Sequence, residues 1–174
     1  MLSGSSITGS VDGVPVTYSS SAPISSTASV FDHFKFGPSG WSVPNANPTV
    51  RNTAATQNTL TFASPVVDPV LVFASVGNDN TPLSVPVTFQ QNVVVEWSRD
   101  VTSITPTGFT GTEGYAIVRV PGVHTQIAFD YLVAETYVNF VFGAAGDADA
   151  DLDGDGLPDV CDPCIDDPDP SCQG

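Results

Sequence analysis

From residue 5 to residue 142, alternation of apolar and polar positions dominates, the period of a half-buried strand, and no helical period replaces it. The clearest local unit comes first. Ser5–Val11 and Val14–Ser19 flank Asp12-Gly13, a pair suited to a two-residue hairpin turn. Both strands are light, made mostly of Ser, Thr, Gly and Val, and Pro15 predicts an edge position for the second because it offers no backbone donor. Residues 19–29 read as a Ser-rich connection, and Val30–Phe36 is a strand that turns Phe31 or Phe34 inward before a Gly-Pro-Ser-Gly break.

The alternation then continues. Asn58–Ser64 sets Leu60 and Phe62 on one face, and Leu83–Gln90 directs Val85, Val87 and Phe89 inward. Val70–Val76 is apolar on both faces, so it reads as a central strand covered on each side. Val93–Ser98 adds Val93, Val95 and Trp97 to the core. Tyr115–Val120, Gln126–Ala134 and Tyr137–Phe142 follow, with Ile127, Phe129, Tyr131, Val138, Phe140 and Phe142 as the last core rows. About ten short strands separated by Gly, Pro and Asn breaks predict an all-β fold, a β-sandwich or jelly roll.

Charge divides this chain in two. Of 19 acidic residues, ten lie between Asp147 and Asp169; the whole chain has four Lys and Arg and a net charge of −15. A body this poor in cations sets nucleic-acid binding aside. Its abundance of Ser, Thr, Val, Gly and Pro suits a secreted all-β module. The longest apolar stretch, near Pro69 to Gly77, is strand-sized and predicts no membrane span. Met1 leads into a Ser/Gly-rich segment without a basic and apolar leader, which reads as a mature or trimmed form.

An unneutralised aspartate run would repel itself and stay extended. Spacing gives this one another meaning. Asp151, Asp153, Asp155, Gly156, Leu157, Asp159 and Asp162 fall at relative positions 1, 3, 5, 6, 7, 9 and 12 of a calcium loop. Alternate carboxylates face one point, the glycine makes the sharp turn, and the next residue offers its carbonyl. The loop ends in Asp162 where an EF-hand has glutamate, and cysteine and proline crowd it. The last 28 or so residues therefore resemble a thrombospondin type 3 repeat, in which aspartate loops wrap calcium with almost no secondary structure. The resemblance implies ligation by Asp151, Asp153, Asp155, Asp159 and Asp162, with Leu157 through its carbonyl; Asp147 and Asp149 continue the alternation and would serve a second ion.

Cys161, Cys164 and Cys172 all lie in this tail. One CxxC without a second pair, and without a histidine nearby in sequence, fits zinc poorly, and a disulfide is expected. The repeat resemblance favours Cys164–Cys172 over Cys161–Cys172, leaving a third thiol that is free, joined to another chain or paired beyond Gly174. Calcium and disulfides together point outside the cell.

Gly9 to Tyr18 (GSVDGVPVTY) and Asn58 to Gly77 (NTLTFASPVVDPVLVFASVG) resemble β-sandwich modules of secreted bacterial surface proteins. This implies location and architecture but no chemistry. Hydrolase signatures such as G-x-S-x-G and H-E-x-x-H do not occur, and no glycine loop suits a phosphate. His33 beside Asp32, and His124 after Pro121-Gly122, read as packing or surface histidines. Glu96, Glu113, Asp130 and Glu135 are the acids a glycosidase would draw on, with nothing to fix their mutual distance. Trp41, Trp97, Tyr115 and Tyr131 are the aromatics a glycan site would use, although most alternate with Val or Ile as core residues do.

Three parts are expected: residues 1–19, a strand segment or hairpin open to exchange with a neighbouring subunit; residues 20–145, the sandwich body; and residues 146–174, the calcium tail. The expected function is that of an extracellular calcium-binding structural protein, not an enzyme. It would be a self-assembling subunit of a surface fibre or matrix, forming a homo-polymer through the N-terminal strand and the acidic tail. The alternative is a carbohydrate-binding or adhesin module with a glycan partner.

Overall fold

A computed structural model describes residues 6–11, 13–27, 36, 49–52, 55–77, 83–134 and 138–144, and every element in them is a strand. In chain order these are β1 (Ser6–Val11), β2 (Val14–Ser20), β3 (Ser25–Thr27), β4 (Thr49–Asn52), β5 (Thr56–Val67) and β6 (Pro69–Val76). β7 (Val85–Phe89), β8 (Val94–Thr105), β9 (Gly108–Arg119), β10 (Val123–Tyr131) and β11 (Val138–Ala144) complete them. All pairings are antiparallel, in the order β1-β2-β5-β10-β7-β9-β6-β11-β4-β3, with β8 beside β9.

That path folds into two layers at β9. Its first part, Gly108–Gly111, pairs with β7, whereas Gly114–Arg119 pairs with β6; β8 lies along the other side throughout. β9 therefore leaves one sheet and enters the other between Gly111 and Gly114. The bend is made by bulges. Register shifts fall between Phe73 and Val76 and between Arg99 and Val101, where Ser75, Asp100 and Glu113 all take left-handed φ of 54 to 67°. Gly111 is needed here for space, since a Cβ on it would lie 2.4 Å from the Val76 carbonyl oxygen.

Between the layers lies an aromatic core. Phe73 of β6 meets Phe89, Phe109, Phe129 and Tyr131 of the opposite sheet at centroid distances of 5.4–6.3 Å, mostly edge-to-face. Tyr18 reaches across to Phe140 at 5.1 Å. The alternation read from Leu60, Phe62, Val85, Val87, Phe89, Ile127, Phe129, Tyr131, Val138 and Phe140 is the alternation observed, and all ten are buried in this cluster. The fold is an all-β sandwich, with β1 approaching β11 so that the layers nearly close into a barrel.

β6 is buried on both faces, as its sequence predicts. Leu71, Phe73 and Val76 enter the main core, while Val70, Val72 and Ala74 join a second cluster with Phe36, Tyr115, Ile117 and Val141. Phe36 is the described residue of the Val30–Phe36 segment; Phe31 and Phe34 lie outside the described residues.

Two expectations need correction. Trp97 does not continue the row of Val93 and Val95. A register shift between Val95 and Trp97 reverses the parity of β8, and the indole packs on the second cluster. Nor is β2 an edge strand: it lies between β1 and β5, and β1 is the edge. The two-residue hairpin pairs Val11 with Val14, so the missing donor of Pro15 faces the β5 side. Pairing with β5 begins one residue later, at Val16 opposite Phe62, and the proline costs the ladder nothing.

Candidate functional site

The residues with the strongest sequence signal, Asp147, Asp149, Asp151, Asp153, Asp155, Leu157, Asp159 and Asp162, lie outside the described residues. So do the three cysteines, Asp32, His33, Trp41 and Glu135. The described chain reaches Ala144, which pairs with Pro69 at the end of β11, three residues before Asp147, where the acidic run starts. Among the described residues, no three His, Cys, Asp or Glu side chains gather as a metal group.

At that end of β6 stands a charged cluster. Asp68, in the turn between β5 and β6, adopts φ 45° and accepts at Oδ1 from the Gly122 backbone N–H at 2.6 Å. Its Oδ2 accepts from Arg119 Nη1 at 3.1 Å, while Arg119 Nε donates to Glu96 Oε1 at 2.6 Å. One guanidinium thus joins β8, β9 and two turns. The hydrogen bond that Arg119 donates to Glu96 is the main reason that the Arg119 pKa rises above an already high ordinary value, burial opposing it in part. Arg119 is therefore a permanent cation, and two carboxylates around one cation leave the cluster acidic. Nearby, the His124 ring Nε2 lies 2.9 Å from the Pro121 carbonyl oxygen; the residue is the second of β10, paired with Val66, and not part of the turn before it.

The acids named from sequence are held apart in separate settings. Glu96 is engaged by Arg119, and Glu113 accepts a hydrogen bond from Ser75 at the β6–β9 bulge. Asp130 belongs to β10, in the opposite layer, on its solvent face. The aromatics are not arranged as an open platform either. Trp97 and Tyr115 lie against Phe36, at 5.4 and 5.6 Å, and Tyr131 points into the core at 2% exposure.

No family model matches the chain, and no curated protein or solved structure is detectably similar to it. Sequence reasoning missed the Asp68–Arg119–Glu96 cluster, whose members are 51 and 23 residues apart. The available signal was Arg119 itself, a cation inside the apolar run AIVRV.

Proposed function

We propose that this chain is an extracellular calcium-binding structural protein, a subunit that assembles with its own kind into a surface fibre or matrix. The observation that carries this reading is the aspartate spacing from Asp151 to Asp162, with its glycine at the sixth position. Calcium there neutralises a tail that otherwise repels every other copy, so assembly depends on the ion. The N-terminal strand supplies the second contact.

The edges of the sandwich support that assignment. Strands β1, β3 and β8 each have one strand neighbour among the described residues. β8 is interrupted by three register shifts and carries Glu96, Arg99 and Asp100; β3 is three residues long. Bulges, charges and shortness are the ordinary ways of blocking unwanted strand pairing. β1, SITGSV, has none of them beyond its modest length. Gly9 and Ile7 pair with Val16 and Tyr18 by hydrogen bonds in this register, so Ser6, Thr8 and Ser10 direct their backbone groups away from β2.

The test is negative-stain microscopy and sedimentation in millimolar calcium and in EDTA. Regular polymers in calcium that disperse in EDTA are expected, and Thr8→Pro should abolish them because it removes an outward donor. Removal of residues 1–19 is not a usable control, since Val11, Val16 and Tyr18 are core. A monodisperse monomer in calcium at high concentration would overturn the proposal.

A further inference from the structure

Where β5 begins and β10 ends, a shallow depression of about 260 Å³ opens on the sandwich. Its deepest residues are Thr56 and Tyr131, 4% and 2% exposed. Around them stand Ser21, Gln57, Asp130 and Leu132. Gln57 and Asp130 are direct cross-strand partners. Ser21 donates its backbone N–H to the Gln57 carbonyl at 2.9 Å, which makes Gln57 a hydrogen-bonded partner of the β2 side. Toward β10 it is then a non-hydrogen-bonded partner, the closer of the two antiparallel geometries, so the amide and the carboxylate stand side by side on the solvent face.

The chemistry offered here is specific. Asp130 accepts, the Gln57 amide both donates and accepts, and the Ser21 hydroxyl, already accepting from the Gln57 backbone N–H at 3.0 Å, has its proton to donate. Leu132, 54% exposed, supplies an apolar wall. A ring with adjacent hydroxyls and a C–H face satisfies all four, and the volume, just under the usual range for ligand pockets, holds one such ring. The carboxylate and the chain's charge of −15 select against an acidic sugar.

The surface continues beyond the depression. Two cross-strand rows, Ser6–Ser19–Thr59 and Thr8–Thr17–Thr61, place six hydroxyl side chains on the same outer face, with strands about 4.8 Å apart. None of the six is buried, and none carries a charge. The geometry points to a binding site for a neutral glycan, one sugar ring seated over the Gln57–Asp130 pair and against Leu132, and the rest of the chain running over the hydroxyl rows. The site uses no stacked aromatic and no calcium, and it stands or falls separately from the assembly reading.

The purified chain is applied to an array of neutral, amino and acidic glycans, in calcium and again in EDTA, and binding of the strongest neutral glycan is titrated by NMR. Expected are selection of neutral glycans, equal affinity in EDTA, and at least tenfold weaker binding by Asp130→Asn and by Gln57→Ala. Both variants change solvent-facing side chains and should keep the melting temperature of the parent. No bound neutral glycan, a preference for acidic or amino sugars, or variants within twofold of the parent would each overturn the site. Binding lost in EDTA but unchanged in both variants would move the ligand to the acidic tail, and also overturn it.

Discussion

Glycines of this chain serve two different needs, and substitutions separate them. Gly13 has φ +79° in the hairpin turn with nothing within 4 Å of an added Cβ. Gly13→Ala should therefore cost only the left-handed conformation, about 1–2 kcal/mol. At Gly111 the obstacle is backbone: an added Cβ meets the Val76 carbonyl at 2.4 Å, at the point where β9 changes sheets. Gly111→Ala should cost more, about 3 kcal/mol, because no side-chain movement relieves the clash. Urea unfolding of both variants checks the order, and equal losses would contradict it. Arg119 poses the electrostatic case. Arg119→Met keeps the aliphatic contact but leaves Glu96 and Asp68 facing each other, for a loss of about 1–3 kcal/mol. Its raised pKa fixes the sign of any pH effect: the stabilisation from the cation is complete below the ordinary arginine value and fades only as strongly alkaline pH rises from there through the raised one. Between pH 6 and 9, then, titration of Arg119 should contribute no slope to stability.

At the scale of elements, strand pairing decides what a proline can do. Thr8 and Gly9 are adjacent in β1, but in this register only Gly9 turns its backbone groups to β2. Gly9→Pro should remove a ladder bond and destabilise by about 3 kcal/mol, whereas Thr8→Pro should leave the monomer near its parent stability. Thermal melts of the two variants under chelation, where assembly does not intervene, give the comparison. Most strands were legible because their inward rows are Leu, Ile, Val and aromatic. The span from Arg99 to Gly114 was not. It holds Thr, Ser and Gly at alternate positions, and bulges at Asp100 and Glu113 break the period that would have revealed it. Trp97 was assigned to the wrong face for the same reason: the bulge before it exchanges inside and outside as far as the next register shift, between Arg99 and Val101. β3 and β4, three and four residues long, are too short to carry a period at all.

For the whole molecule, the proposed calcium tail predicts a linked stability. With free calcium a hundredfold above the dissociation constant, one site adds about 2.7 kcal/mol to any unit that unfolds with the tail. Calorimetry with and without EDTA measures it, and limited proteolysis should find the tail cut only under chelation. Should EDTA change neither, the calcium reading fails, while the sandwich and its depression at Gln57 and Asp130 are untouched. The two proposals can thus be lost independently.

Sequence by itself determined the all-β class, the opening hairpin, the doubly buried β6 and the inward rows of the aromatic core. Those depend on local alternation, which burial imposes residue by residue. It also supplied the spacing from Asp151 to Asp162, which stands as a motif still to be tested with the ion. Tertiary structure alone decided where β9 crosses between sheets, which face receives Trp97, and that Arg119 gathers Asp68 and Glu96. It alone set Asp130 beside Gln57. Each of those follows from register between distant strands, and register is fixed by the packing of the whole sandwich rather than by any short stretch of chain.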